Sequence, residues 1–273
     1  MPEAALKTIQ EKAGFNVERI LEIEKVTRHD VIAFTTCVAE YVGEDARYIH
    51  WGMTSSDVLD TSFSMQLKQA AGIILQDIDE LLAVIKDKAF QYKDTVMIGR
   101  SHGIHAEPIT FGLKMALWFD EMQRQKIRMQ AAAENVAVGK ISGAVGTFAY
   151  IPPFVEEYVC AALGLKPAPA SSQIVQRDIY AEFFCAMAQV GCSLEKFSTE
   201  IRHLMRTEVS EVSEYFSPGQ KGSSAMPHKI NPIDFENAEG NLGVANALFG
   251  HLSSKLPVSR LQRDLTDSTV IRN

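Results

Sequence analysis

The stretch from 222 to 232, "GSSAMPHKINP", places several residues capable of acid–base chemistry in one glycine-flanked loop. Ser223 and Ser224 supply hydroxyl groups, and Lys229 supplies a cation a few residues later. A serine hydroxyl is a weak base, but a nearby cation and the exclusion of water can activate it. The residue types therefore predict proton abstraction by a serine, with Lys229 as the activating charge.

The same loop leads into a predicted helix start. Asn231 is a favoured N-cap residue, and Pro232 suits the first helical position. The free N–H groups of such a start, with Lys229 beside them, could hold a carboxylate or the negative charge that develops next to one. Gly219 and Gly222 predict that the loop moves as a lid.

A second polar stretch, "GRSHGIHAEP" at 99–108, contains His102 and His105. A histidine in a glycine-rich loop can donate a proton near neutral pH. Two histidines three residues apart could also hold a metal, but metal sites need three or four ligands and only Glu107 is close in sequence. No metal site is therefore predicted.

Four long segments with apolar residues at spacings of three and four predict the helices that position these motifs. These predicted helices span 56–92, 109–137, 176–209 and 231–256. Shorter helices are predicted at 2–13, 16–26, 30–43 and 153–163, and loops at 45–55, 93–108, 138–153, 164–175 and 210–230. Helices this long exceed the globular mean of about 11 to 12 residues. The predicted fold class is therefore all-α, a bundle of long helices.

Composition excludes several classes of protein. The 273 residues carry a net charge of −7, which provides no basic field for a nucleic acid. The polar, mixed-charge start of the sequence predicts no signal peptide, and the lack of an apolar run of 18 or more residues predicts no membrane span. The cysteines form no CxxC pair, which predicts reduced, buried thiols in a cytoplasmic protein. They are Cys37, Cys160, Cys185 and Cys192.

Three separated stretches resemble conserved regions of the fumarase/aspartase lyase superfamily: "MTSSD" at 53–57, "GRSHGIHAEP" at 99–108 and "GSSAMPHKINP" at 222–232. Others resemble the adenylosuccinate lyase family within it. These are "TRHD" at 27–30, "GKISGAVGT" at 139–147, "SSQIVQRD" at 171–178, "NPIDFEN" at 231–237 and "RLQRDLTDSTVIRN" at 260–273. The resemblance covers nearly the whole chain and implies the long-helix bundle of that superfamily.

Enzymes of this family release fumarate from a succinyl-amine by β-elimination, and the resemblance implies the same reaction here without a cofactor. By motif match, Ser223 is the expected general base and His102 the expected general acid. Glu236 is expected to orient His102, while Lys229 and Asn231 are expected to hold the succinyl carboxylates. The implied substrates are adenylosuccinate and the succinyl-carboxamide ribotide SAICAR.

Further matched residues are expected to bind the substrate. For the succinyl part they are Thr54 and Ser55, and His50 matches a histidine just before them; for the nucleotide they are Arg28, His29, Asp30 and Gln173. For the phosphate they are Arg263, Ser268 and Arg272, and Thr269, Ser224 and Asn237 are further contacts. Ser101 is also in this set and stands where the family usually has threonine, so a hydroxyl is kept.

The resemblance also implies a homotetramer with active sites where three subunits meet. Residues 1–55 are expected to be the remainder of an N-terminal helical domain, and residues 56–273 a central bundle that stops before its end. An N-terminal segment with an Arg-Tyr phosphate contact and a C-terminal domain are expected to be missing, which leaves the activity of this chain open. Two alternatives stay open: another lyase of the superfamily, such as argininosuccinate lyase, and a non-catalytic helical core. The "TRHD" and "DSTVIR" stretches favour a nucleotide substrate.

Overall fold

In a computed structural model, which describes residues 1–258 and 261–268, eight α-helices dominate the fold. They are α1 (Glu3–Lys12), α2 (Val17–Thr27), α3 (Asp30–Val42), α4 (Ser55–Gln91), α5 (Phe111–Val136), α6 (Pro153–Ala162), α7 (Asp178–Met205) and α8 (Ile233–Lys255). Short 3₁₀ helices cover Gly43–Tyr48 and Leu256–Val258. The strands are β1 (Val96–Ser101), β2 (Ile104–Thr110), β3 (Val138–Gly139) and β4 (Lys166–Pro167). The predicted all-α bundle is confirmed, because four of the helices have 23 to 37 residues.

The predicted loop at 93–108 is wrong, because β1 and β2 form an antiparallel hairpin there. The register ends with Ser101 opposite Ile104, so His102 and Gly103 make the two-residue turn. Both have positive φ, 56° and 78°, which is the backbone of a type I′ turn. The sequence hid this hairpin because its strands are largely solvent-accessible and lack a strict alternation of apolar and polar residues.

Residues 1–63 and 138–175 form the first of two compact units. It contains α1 to α3, the first turns of α4, α6 and the two-residue parallel pair of β3 with β4. Ile23, Ala33 and Cys37 form its buried cluster between α2 and α3. The Asn16 side chain caps α2 by accepting a hydrogen bond from the Arg19 N–H at 2.8 Å.

The remaining described residues, 64–137 and 176 onwards, form the second unit. In it α7 packs against α5 and α8. The core side of α5 is built from Met115, Met122 and Met129, which are buried at spacings of seven residues. Trp118 of α5 stacks on Phe197 of α7 with ring centroids 4.4 Å apart. The second unit is therefore a bundle of long helices with the hairpin attached at one end of α5.

Two cysteines differ from the prediction. Cys37 and Cys160 are buried, but Cys185 and Cys192 on α7 are exposed. Each exposed cysteine follows a buried α7 residue, Phe183 or Val190, by two positions. A step of two residues turns about 200° around a helix, so both thiols lie away from the buried stripe.

Among the described residues, no helix combines the length and the apolar character needed to cross a membrane. The predicted domain boundary at residue 55 stays a prediction. The helix α4 starts at that residue and runs from the first unit into the second without a break.

Candidate active site

The stretch from 222 to 232 is a closed loop. The side-chain amide of Asn231 donates a hydrogen bond to the Gly222 carbonyl at 2.7 Å, which ties the two ends together. Gly222 is buried, and a Cβ atom there would stand 1.6 Å from the carbonyl oxygen of Lys229. Gly222 is therefore required for this close approach, whereas the sequence had indicated a hinge.

Ser223 is held inside that loop. Its Oγ accepts hydrogen bonds from the backbone N–H groups of Ala225 and Met226, both at 3.3 Å. Donors aimed at a hydroxyl oxygen favour its deprotonated form. In the described part of the chain, Lys229 is exposed and its ammonium group pairs with no side chain. The expected base, Ser223, and an uncommitted cation thus lie in one loop.

The predicted cap at the start of α8 is wrong. The helix begins at Ile233, Pro232 occupies the N-cap position without a side-chain hydrogen bond, and Asn231 is engaged with the loop instead. The carboxylate of Glu214 accepts from the Phe235 N–H at 3.1 Å and the Asp234 N–H at 3.4 Å. Two amides expected to hold a ligand carboxylate are therefore occupied by a residue that no local pattern in the sequence had indicated.

A cavity of about 410 Å³ lies beside the loop, at the C-terminal end of α7. Lys229, Asn231 and Glu236 line it on the loop side, and Arg202 and Arg206 line it on the α7 side. The Arg202 guanidinium lies 3.6 Å from the Glu236 carboxylate and also forms an ion pair with Glu239. The hydrogen bond to Glu239 raises the pKa of Arg202. Arg202 thus holds Glu236, while the expected contact of Glu236 with His102 stays a prediction.

His102 is exposed at the turn of the β1–β2 hairpin. Its neighbour Gly103 lines a second cavity, of about 260 Å³, together with Arg100, His203 and Arg206. His203 and Arg206 also line the 410 Å³ cavity. The end of α7 therefore separates the turn that carries the expected acid from the loop that carries the expected base.

The hairpin is fixed to the segment that precedes the loop. Arg100 makes two parallel hydrogen bonds to the Glu211 carboxylate, at 2.7 and 3.0 Å. This arrangement lowers the pKa of Glu211 from its ordinary value. Ser101 lies at the exposed end of β1, Ser224 is exposed within the loop, and Asn237 is exposed on α8.

The first unit brings together two of the expected substrate residues. The Gln173 side-chain amide donates to the Thr54 hydroxyl at 3.3 Å. Ser55 is the first residue of α4. His50 has a positive φ of 63°, and its buried Nε2 makes no hydrogen bond to any residue that the structure describes.

The "TRHD" stretch forms the joint between α2 and α3. Arg28 ends α2 in the left-handed conformation, with a φ of 53°. His29 caps α3, where its ring nitrogen accepts from the Ile32 N–H at 3.3 Å. Asp30 is the first residue of that helix, and its carboxylate accepts from the Val31 N–H at 2.8 Å. The three residues are thus held by local bonds in a sharp turn.

Near the end of the chain, Arg263 donates to the carboxylate of Asp267 at 2.6 Å. Arg177 donates to the same carboxylate at 2.5 Å, and Asp267 is fully buried. Ser268 is described, but Thr269 and Arg272 lie outside the described residues. Among residues 1–258 and 261–268, no group of three or more metal-ligating side chains is assembled.

Comparisons with known proteins agree with the motifs. A sequence profile of the family described as Lyase matches residues 2–247. The adenylosuccinate lyase of Bacillus subtilis (strain 168) is 50% identical over 272 residues, and that of Aquifex aeolicus (strain VF5) is 56% identical over 250 residues. The match covers 100% of this chain and 63% of the Bacillus protein, and 90% of this chain and 57% of the Aquifex protein. The chain thus spans about three fifths of the length of these relatives.

Solved structures show the same architecture. The 3-carboxy-cis,cis-muconate lactonizing enzyme from Pseudomonas putida superposes with a TM-score of 0.89 at 28% identity, over 100% of this chain and 62% of that one. A fumarate lyase from Mesorhizobium sp. BNC1 superposes with a TM-score of 0.86 at 24% identity, over 99% and 61%. The family profile matches most of this chain, so the chain belongs to the lyase family. Its long-helix bundle is that of the fumarase/aspartase superfamily.

Proposed function

We propose that this chain is the greater part of an adenylosuccinate lyase, which releases fumarate from adenylosuccinate to give AMP and from SAICAR to give AICAR. The observation that carries the proposal is the loop in which two N–H groups point at the Ser223 oxygen while the Lys229 ammonium stays uncommitted. The names of the relatives support the choice of substrates.

In the proposed reaction, the Ser223 oxygen removes the proton from the carbon next to a succinyl carboxylate. The electron pair of that C–H bond is held as a dianion, which Lys229 and Asn231 stabilise. The pair then forms the carbon–carbon double bond of fumarate as the carbon–nitrogen bond breaks. His102 gives a proton to the departing nitrogen, and Glu236 orients His102. The reaction uses no metal and no cofactor.

Other residues of the proposed site bind the remainder of the substrate. His50, Thr54 and Ser55 would contact the succinyl part, and Arg28, His29, Asp30 and Gln173 the nucleotide. Arg263, Ser268, Thr269 and Arg272 would contact the phosphate, with Ser101, Ser224 and Asn237 as further contacts. The hydrogen bond between Gln173 and Thr54 supports this grouping, because it links the nucleotide set to the succinyl set.

The proposed assembly is a homotetramer in the cytoplasm, with active sites shared between subunits. Its support is the apolar surface of the long helices in the single chain. Ile73 on α4, Leu117 and Ile127 on α5, and Val244 and Leu248 on α8 each expose more than half of their surface. Apolar surface repeated along several helices is typical of a protein interface.

The proposal is tested by fumarate release in the longest protein that the gene encodes. Ser223→Ala and His102→Ala are each expected to lower kcat by about 10²- to 10⁴-fold, the usual contribution of an acid or base. Ser217→Ala and His105→Ala are the matched controls, from the same segment and the same hairpin, and should keep activity. A protein that is inert on adenylosuccinate but cleaves argininosuccinate would overturn the substrate assignment. A tetramer inert on both would favour the non-catalytic alternative.

A further inference from the structure

The first unit contains a buried ion pair between Asp57 and Lys140. Both side chains are fully buried. The Lys140 ammonium donates to the Asp57 carboxylate and also to the Gly143 carbonyl, the latter at 3.3 Å. The two charged residues are 83 positions apart in sequence. Neither of them has a role in the reaction proposed above.

The Asp57 carboxylate also binds three backbone N–H groups. One oxygen accepts from Ser142 at 3.2 Å, and the other accepts from Thr54 at 2.8 Å and Gly143 at 3.3 Å. The carboxylate therefore joins the start of α4 to the "GKISGAVGT" stretch. We call Thr54, Asp57, Lys140, Ser142 and Gly143 the Asp57 cluster.

Neighbouring bonds extend the Asp57 cluster to a third stretch, "SSQIVQRD". The hydroxyls of Ser142 and Ser171 lie 2.8 Å apart. The turn after Ser142 packs closely on the same segment, since a Cβ on Gly146 would stand 2.2 Å from the Ser171 carbonyl oxygen. The Gln173 amide reaches Thr54. Three stretches that resemble the lyase family thus meet around one carboxylate.

Stability alone is a weak explanation for such a pair. Removing two charges from water costs several kcal/mol, and well-packed apolar replacements are often neutral or stabilising. One carboxylate oxygen of Asp57 accepts from the backbone amide of Thr54, and the side chains of Thr54 and of the next residue, Ser55, are the expected succinyl contacts. The ion pair is therefore better explained by the positioning of nearby residues than by a contribution to stability.

We infer that Asp57, charge-balanced by Lys140, is a positioning residue that fixes Thr54 and Ser55 for the succinyl part of the substrate. This role rests on the proposed function, because it acts through residues assigned to the substrate there. The same inference explains the contacts of the "GKISGAVGT" stretch. Lys140 supplies the balancing charge, and Ser142 and Gly143 supply two of the amides that Asp57 binds.

The test compares Asp57→Asn/Lys140→Met with the unchanged protein. The double variant leaves no buried charge without a partner, so its expected loss of unfolding free energy is only that of an unbound amide, about 1 to 3 kcal/mol. Asparagine offers one acceptor oxygen in place of two, so the Thr54, Ser142 and Gly143 amides cannot all be bound. We expect kcat/KM for adenylosuccinate to fall at least tenfold, with a rise in KM as the larger part. A folded double variant with unchanged kcat and KM would overturn the inference.

Ser64→Ala is the control on the same helix. Ser64 is fully buried and bonds the Tyr180 hydroxyl at 3.1 Å, away from the Asp57 cluster. It should lower the unfolding temperature while leaving KM unchanged. If Ser64→Ala and the double variant change KM equally, Asp57 has no special role.

Hydrogen exchange separates failure of this inference from failure of the proposed function. In the double variant, the amides of Thr54, Ser142 and Gly143 should exchange at least tenfold faster, while amides in the middle of α4 stay protected. If the parent protein cleaves no succinyl nucleotide but shows this pattern, the function is wrong and the geometric role stands. If the three amides exchange equally in both proteins, the positioning role is wrong, whatever the activity.

Discussion

Two lysines of the proposed lyase stand in opposite environments. Lys140 is fully buried, and its charge is used by Asp57 and by a backbone carbonyl. Lys229 is exposed, and no side chain in the described part of the chain pairs with it. A lysine that must stabilise a developing dianion has to keep its charge available, so the exposed environment of Lys229 suits its proposed role, whereas that of Lys140 does not.

The regions around these lysines are also held differently. The Asp57 cluster is closed by bonds between residues more than 80 positions apart, so it forms only with the fold of its unit. The loop at 222–232 is closed by bonds among its own residues, such as that of Asn231 with Gly222. A locally closed loop can open without unfolding the helices, which a reaction that admits and releases ligands requires.

The largest expected difference lies between two substitutions to methionine. Lys140→Met leaves the Asp57 carboxylate buried without its partner, which should cost about 3 to 5 kcal/mol of unfolding free energy. Lys229→Met removes an exposed charge and should change stability by no more than about 0.5 kcal/mol, while fumarate release is lost. Urea unfolding and activity assays on both variants check this. Equal losses of stability would contradict the contrast.

A second contrast uses two glycines. In Gly222→Ala the new Cβ would collide with the Lys229 carbonyl oxygen, so the loop must open. A displacement of about 1 Å at a reacting group can cost about 10²-fold in rate, and a loss of that size in kcat is expected with little change in unfolding temperature. Gly240 lies within α8 with open space around it, so Gly240→Ala should raise stability by about 1 kcal/mol. Full activity in Gly222→Ala would show that the closed loop is not the working form.

A smaller effect is expected at the start of α8. Glu214→Ala removes the acceptor for the N–H groups of Phe235 and Asp234, a cap worth about 1 kcal/mol. Exchange of those two amides should accelerate, while the middle of α8 is unaffected. Glu208→Ala removes an exposed carboxylate nearby and serves as the control. Unchanged exchange in Glu214→Ala would mean that these amides are satisfied in another way.

Features with a local or periodic cause could be predicted from the sequence. The long helices followed from apolar spacing, and the loop motif made Ser223 and Lys229 candidates for the site. The pairing of Asp57 with Lys140 could not be predicted, because it joins residues 83 positions apart and the matched stretches that contain them gave neither residue a partner. Asn231 failed as a predicted cap for a different reason: its side-chain N–H group donates to the Gly222 carbonyl nine positions earlier, which holds the side chain in the loop.

The smallest expected effect concerns pH and lies close to the Asp57 cluster. Glu156 is buried, and its carboxylate accepts from the Ile141 N–H at 2.7 Å. Burial raises the pKa of Glu156 above its ordinary value of 4.5, although the bond to Ile141 and the charge of Lys140 act against burial. A raised folded-state pKa means that the contribution of Glu156 to stability is full below about pH 4.5 and is lost as pH rises through the folded value. Glutamine cannot ionise.

The unfolding free energy of Glu156→Gln should therefore increase relative to that of the parent as pH rises from about 4 to 7. Chemical unfolding at several pH values measures the shift, and constant offsets from repacking cancel in the comparison. Glu157→Gln, an exposed neighbour on α6, should show no such trend. A decrease of that relative free energy would mean that the bond from Ile141 and the charge of Lys140 outweigh burial. The region around Lys140 would then stabilise the charged form of a second carboxylate besides Asp57.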